Sequence, residues 1–317
     1  MSPSRCLRAA ALSAFVLPTL LVAEEGGSGH YAPGSMASFM DGVPMEETFI
    51  TRFNFLYYEG DFEGGQQIPI AGLKALGVNA DSTAVGLTML WRPPVELGDC
   101  WSYAMSATIP YLWMDVSGTV AAGPFNVQRA DSLDGIGDIV LIPLMLGYKA
   151  SDDLSFNFRV TGYAPTGRYQ VGRLANTGKN FWTIEPKVAA MYFGQKNGIE
   201  ASLFFGASFN QENSDTNYQS GTQLHLDGTL AQHFPLWGGL AGVGVSGYWY
   251  EQVEGDSGAG ATFGDFKGRT AGLGPALSFI TKVGGQDLLA EVKWLHEFET
   301  RNRLQGDSIW FKMLMKF

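Results

Sequence analysis

The last eleven residues, Asp307 to Phe317, read DSIWFKMLMKF, and counting back from Phe317 every second residue is apolar: Met315, Met313, Phe311 and Ile309. The alternate positions include Lys316, Lys312 and Ser308. Period two is the spacing of a β-strand, whose successive side chains leave opposite faces. The chain therefore ends as a strand with one greasy and one largely polar face, closed by an aromatic carboxyl-terminal residue.

The other end of the chain places this strand in an exported protein. Arg5 and Arg8 precede an uncharged apolar run, Ala9 to Ala23, broken only by Pro18. This is the plan of a secretory signal peptide over residues 1–23, too short to be a comfortable membrane-spanning helix. Cleavage is expected after Ala23, and Cys6 leaves with the peptide. Only Cys100 then remains, which excludes an intramolecular disulfide and a thiolate metal cluster. Loss of two arginines leaves 19 basic against 31 acidic residues, a formal charge of −12, so nucleic acid is not an expected partner.

The exported 294 residues are enough for two ordinary domains or one large barrel. Charged residues make up only 16% and aromatics 13% of the sequence, yet no run of eighteen apolar residues follows the signal. A chain so poor in charge, without a spanning helix, satisfies its backbone in lipid only as a closed sheet. In that setting the Phe317-terminated strand resembles the closing strand of bacterial outer-membrane β-barrels. The resemblance implies recognition by the barrel-insertion machinery, with Phe317 as the insertion signal.

Alternating segments recur along the chain at roughly 47–59, 81–93, 100–115, 136–149, 153–165, 181–194, 198–212, 221–234, 237–252, 268–283, 286–300 and 307–317. Short polar turns, such as 95–99 and 284–287, alternate with long Gly, Asp and Asn-rich connections, such as 60–80, 116–135 and 165–180. The reading is an all-β transmembrane antiparallel barrel of about twelve strands over 46–317, with short periplasmic turns and longer extracellular loops. Aromatics near segment ends, among them Tyr58, Trp91, Trp101, Trp113, Trp182, Trp237, Tyr250 and Trp310, fit a membrane girdle.

Residues 24–45 show little alternation and read as an amino-terminal periplasmic, plug-like segment. Its GSGHYAPG followed by DGVP resembles the start of the mature region in the outer-membrane family labelled as involved in the meta-pathway of phenol degradation. Asp134 to Tyr148 (DGIGDIVLIPLMLGY) and Tyr163 to Gly167 (YAPTG) resemble further stretches of that family. What the resemblance implies is an outer-membrane transporter, passing small aromatic or apolar cargo. Within the segment, glycines at 26, 27, 29 and 34 permit tight turns, so the segment can fold into the lumen or hang as a leader. His30, Tyr31 and Asp41 are its candidate polar contacts with the wall.

If alternate residues face lipid, their neighbours face the lumen. Phe49, Phe53 and Phe55 then point out and Arg52 and Asn54 in. The same parity turns inward Arg159, Glu185 and Lys187, then His225, Asp227 and His233, and Glu291, Lys293, Glu297 and Glu299. Such mixed charge is either a structural ladder, since confined charges need partners, or the polar constriction of a channel. The basic loop with Arg168, Arg173 and Lys179 is read as touching lipopolysaccharide or folding over the mouth. No catalytic residues, metal site or cofactor are expected. His225 and Asp227 share one strand face but no serine motif accompanies them. The expected function is passive passage of small molecules across the outer membrane, and the alternative is a structural or surface-interaction barrel with a filled lumen.

Overall fold

The computed structural model describes residues 25–62, 67–122, 125–263 and 267–317. The expected signal peptide lies outside them. Twelve strands form the wall: β1 (Thr48–Asp61), β3 (Leu73–Arg92), β4 (Trp101–Ala122), β6 (Ile139–Lys149), β7 (Leu154–Ala164), β8 (Thr183–Phe193), β9 (Ile199–Asn210), β10 (Gln223–Leu236), β11 (Gly239–Gln252), β12 (Arg269–Val283), β13 (Gln286–Arg301) and β14 (Gln305–Lys316). Two further strands stand outside the wall, β2 (Ile68–Ile70) on β3 and β5 (Phe125–Ile136) on β4. Wall neighbours are antiparallel, and β14 pairs with β1 from Lys316↔Ile50 to Gln305↔Asp61, which shuts the barrel. Closure leaves no sheet edge within the membrane, where an unpaired backbone group costs several kcal/mol.

The alternation read from the sequence appears directly in the wall. Phe53, Leu87, Ile109, Phe158, Val188, Leu203, Leu230, Val245, Leu277 and Met313 are exposed on the outside and form a continuous apolar belt. Trp91, Trp101, Trp113, Trp182 and Trp237 are exposed as well, in keeping with a girdle. Trp310, Tyr58 and Tyr250 depart from that reading. Trp310 occupies an even position between Ile309 and Phe311, so strand parity turns it inward, where it packs with Tyr248, Leu295, Leu56 and Ala32. Tyr250 is fully buried, and the Tyr58 hydroxyl donates to Glu297 inside the barrel at 2.9 Å. Glu299 departs in the opposite sense. A left-handed backbone at Glu299 (φ 52°) and a register shift against β12 turn its side chain out, to pair with Arg269 at 2.7 Å.

Two of the long connections are sheet rather than loop. The lower half of β4 pairs with β6, up to Thr108↔Val140, and its upper half pairs with β5, from Tyr111↔Ile136 to Ala122↔Phe125. With β3 these strands rise beyond the rest of the wall. A bulge between Leu76 and Asn79, where Gly77 takes φ 54°, inverts the side-chain parity of β3, which is why this stretch lacks clean alternation in the sequence. Ile68, Ile70, Val78, Val116, Leu174 and Ala175 pack together here, so connection 165–182 lies folded against the extension. Arg173 donates to the Ser132 carbonyl at 3.0 Å and pairs with Asp131 at 3.6 Å.

A cation on the apolar belt meets hydrocarbon instead of lumen. Leu230→Arg, at a 64% exposed mid-strand position of β10, is expected to cost roughly 2–4 kcal/mol of folding free energy. Urea titration in lipid vesicles measures it, with Trp237→Arg at the rim expected to cost far less.

Candidate functional site

Residues 25–45 run through the barrel, from the long-loop end at Glu25 to the short-turn end where β1 begins. Of the two courses open to this plug-like segment, a fold into the lumen or a hanging leader, it takes the first. At the upper end the Tyr169 hydroxyl and the Asn213 amide donate to the Glu25 carboxylate at 2.9 and 3.1 Å. Lys179 donates to the Ser28 carbonyl at 2.6 Å. The basic loop therefore spends Lys179 and Arg173 on the protein's own mouth.

Below this the three stretches that carried the sequence resemblance converge. His30 of the GHYAPG stretch places Nε2 2.9 Å from Asp138 of the GIGD stretch, and Nδ1 2.7 Å from the Thr183 hydroxyl. The Thr183 hydroxyl also donates to the Asn210 side-chain oxygen at 2.6 Å. Asp138 also accepts from the backbone N–H of Gly167, in the YAPTG stretch, and of Lys179. Tyr163 of that stretch stacks on the His30 ring. One buried carboxylate thereby ties the segment, the β5–β6 corner and the loop after β7.

In the middle of the lumen Tyr31 stacks on His225 with ring centroids 3.6 Å apart, and its hydroxyl donates to Asp227 at 2.7 Å. The other Asp227 oxygen accepts the Gly34 N–H at 2.9 Å. Gly34 has φ 84°, and a Cβ there would stand 2.4 Å from Leu295 Cδ1, so only glycine fits this close approach. Lys187 pairs with Glu185, which lies 3.5 Å from His225. His233 sits lower, 2.8 Å from Glu200, whose second oxygen accepts the Phe39 N–H.

At the bottom Asp41 is the hub. It closes a capping box with Ser38 around the short 3₁₀ turn Phe39–Asp41. Arg52 and Lys312 pair with its carboxylate at 2.8 and 3.0 Å, and Arg159 donates to its carbonyl at 2.6 Å. Lys293 donates to the Met36 carbonyl and lies 3.3 Å from Glu291. Asn54, one layer above Arg52, donates to Thr88. Apart from Glu299, the expected lumen residues gather into clusters inside the barrel, and their side chains are buried or half-buried. Phe317 stands apart at the β14–β1 seam, its N–H donating to the Phe49 carbonyl and its side chain exposed. Glu200 and Asp138 were not singled out from the sequence. Glu200 sits on the polar parity of β9, and Asp138 lies within the GIGD stretch, but neither position shows what it will meet.

The segment leans on β7–β14 and leaves space against β1, β3, β4 and β6. Register stacks inward residues there in layers: Leu56, Ala84 and Leu112 at the top, Asn54, Gly86 and Pro110 next, then Arg52, Thr88, Thr108 and Val140, then Ile50, Leu90, Ser106 and Ile142. A cavity of about 300 Å³ lies between this wall and residues 29–36. A smaller one of about 80 Å³ sits above it, lined by Ile70, Val78, Val116 and Leu174, and a third of about 30 Å³ lies below, beside Asp41. Among the described residues, no group of three His, Cys, Asp or Glu side chains is placed to hold a metal.

Comparison with known proteins agrees with this architecture. Residues 60–313 match the family described as "Putative MetA-pathway of phenol degradation". The chain belongs to that family. An outer membrane channel from Pseudomonas putida F1 shares its fold, with a TM-score of 0.66 at 15% identity, covering 90% of this chain and all of that one. The β domain of the Bordetella autotransporter BrkA gives a TM-score of 0.49 at 11% identity over 86% of this chain and all of that one. No curated protein matches the sequence significantly. This member of the phenol-degradation family is a barrel of the bacterial outer membrane.

Burial works against the Asp41 carboxylate, but Lys312 and Arg52 more than offset it and hold its pKa well below the usual carboxylate range. Its contribution is complete above the ordinary Asp value of about 3.9 and fades only as pH falls toward the depressed one. Acidification from pH 7 to about pH 4 is therefore expected to leave the Asp41 end of the segment protected from protease. Asp41→Asn strands buried cations and is expected to cost about 3–5 kcal/mol, seen as protease cleavage within the segment at pH 7. Gly34→Ala is expected to loosen the segment likewise.

Proposed function

We propose that this protein is a passive channel for small, partly apolar molecules, with residues 25–45 forming its constriction. The observation that carries this reading is the file of three cavities along the β1–β3–β4–β6 wall. Lys179 lines both the upper and the middle cavity, and Arg52, Thr88 and Ile142 line both the middle and the lower one. The wall they share is mostly small or apolar, so a partly apolar solute moving down it sheds little hydration against unpaired charge. On the opposite side, charged residues are consumed in holding the segment. Family membership and the fold shared with a channel from P. putida support the same reading.

Two finer roles accompany it. The inward fold of connection 165–182 favours a cover over the outer mouth rather than a lipopolysaccharide contact. Phe317 is the residue we assign to recognition by the insertion machinery, a reading supported by its exposed side chain at the β14–β1 seam.

Single-channel conductance of the refolded mature protein in a planar bilayer tests the channel. Small steady openings are expected, growing severalfold when Glu24 to Pro44 is deleted. Silence in both proteins would favour the filled structural barrel instead.

A further inference from the structure

The foot of the middle cavity carries an excess of positive charge in a chain that is acidic overall. Arg52, Arg159, Lys293 and Lys312 converge on the Asp41 hub. Among the described residues, the carboxylates that pair with these four cations are Asp41 and Glu291. Two positive charges are thus left over in a confined interior, where uncompensated charge is costly. Arg159, Lys293 and Lys312 are sealed, with side chains spent on carbonyls, Asn157 or the two acids.

Arg52 differs from the other three. Its side chain is 20% exposed and it lines both the middle and the lower cavity. It is also the one charged residue of the four stacked wall layers. In its own layer it has the Thr88 and Thr108 hydroxyls, 2.7 Å apart, and Asn54 above. Higher still lie Leu56, Ala84 and Leu112, all on the wall of the same cavity. The β1–β3–β4 wall of the space is therefore amphipathic along the barrel axis, apolar above and cationic below, while His30, Asp138, Lys179 and Lys187 line other sides of it.

We propose that the middle cavity is a binding site for a small apolar monocarboxylate, its ring or short chain against Leu56, Ala84 and Leu112 and its carboxylate on Arg52 and the Thr88–Thr108 pair. A guanidinium binds a carboxylate through charge-assisted bonds that a neutral hydroxyl cannot match. A carboxylate at this position also offsets the excess positive charge of the Asp41 hub. Arg52 is then the specificity-determining residue, separating acids from their neutral analogues on a path whose apolar wall accepts both. The assignment rests on the channel reading for its role in transport, whereas its test by binding does not.

Isothermal calorimetry on the refolded full mature chain in detergent, with benzoate and its neutral analogue benzyl alcohol, decides it. Benzoate is expected to bind about tenfold more tightly than benzyl alcohol. Arg52→Gln is expected to abolish that preference, bringing benzoate affinity down about tenfold to that of benzyl alcohol. Arg52→Lys, which keeps the charge on the Asp41 partner, is expected to restore part of it and controls for loss of the fold. Equal binding of the two probes, no binding of either, or a preference that survives Arg52→Gln would overturn the proposal. Benzoate preference in a protein that passes no current would uphold this site and sink the channel reading.

Discussion

Everything in this molecule follows from the need to close the β14–β1 seam. In hydrocarbon each strand must pair on both sides, so the sheet has to curl until its first and last wall strands meet, Ile50 to Lys316 and onward. Once closed, the alternation of side chains has a fixed meaning. Residues such as Leu203, Leu230 and Val245 go to lipid, and their neighbours have nowhere to go but inward. Closure therefore forces Arg159, Glu185, Lys187, His225, Asp227, Glu291, Lys293 and Lys312 into one confined space.

That crowding explains why residues 25–45 sit where they do. A wall lined with opposite charges on fixed strands cannot bring every pair together, because side chains on separated strands do not reach across a twelve-stranded lumen. The segment supplies the missing partners: a carboxylate at Asp41, a hydroxyl at Tyr31, an imidazole at His30, N–H groups at Gly34 and Phe39, and carbonyls at Ser28, Met36 and Asp41. It thereby serves structure and constriction at once. The two readings of the lumen charges, ladder or channel lining, divide by side: β7–β14 mostly hold the segment, while β1, β3, β4 and β6 are left low in charge and face the cavities.

Local irregularities tune this plan. The bulge at Gly77 and the exchange of β4 partners from β6 to β5 lift a sheet above the membrane, where it no longer needs a lipid face. Its apolar side turns on itself and on Leu174 and Ala175. The left-handed Glu299 similarly redirects one acid from lumen to outer rim, where Arg269 receives it.

The sequence alone determined the wall. Period-two alternation is a local property, so twelve spans and most of the division between lipid-facing and inward residues are legible, and the strand ending in Phe317 points to the architecture. The resemblance carried by GHYAPG, GIGD and YAPTG pointed to the family, which the match over residues 60–313 shows. Where local regularity stops, so did the reading. Trp310 reads as a girdle residue because it lies near a segment end, although parity places it inside. Residues 73–80 and 125–135 read as loop, since a bulge and two solvated faces erase the period. Only the tertiary structure decided that residues 25–45 thread the lumen, that His30 meets Asp138 and Asp41 meets Lys312, and that empty space lies beside Arg52. Those pairings join residues 108 and 271 positions apart, and contact at such separation is set by how the closed barrel brings strands together, which no local pattern encodes.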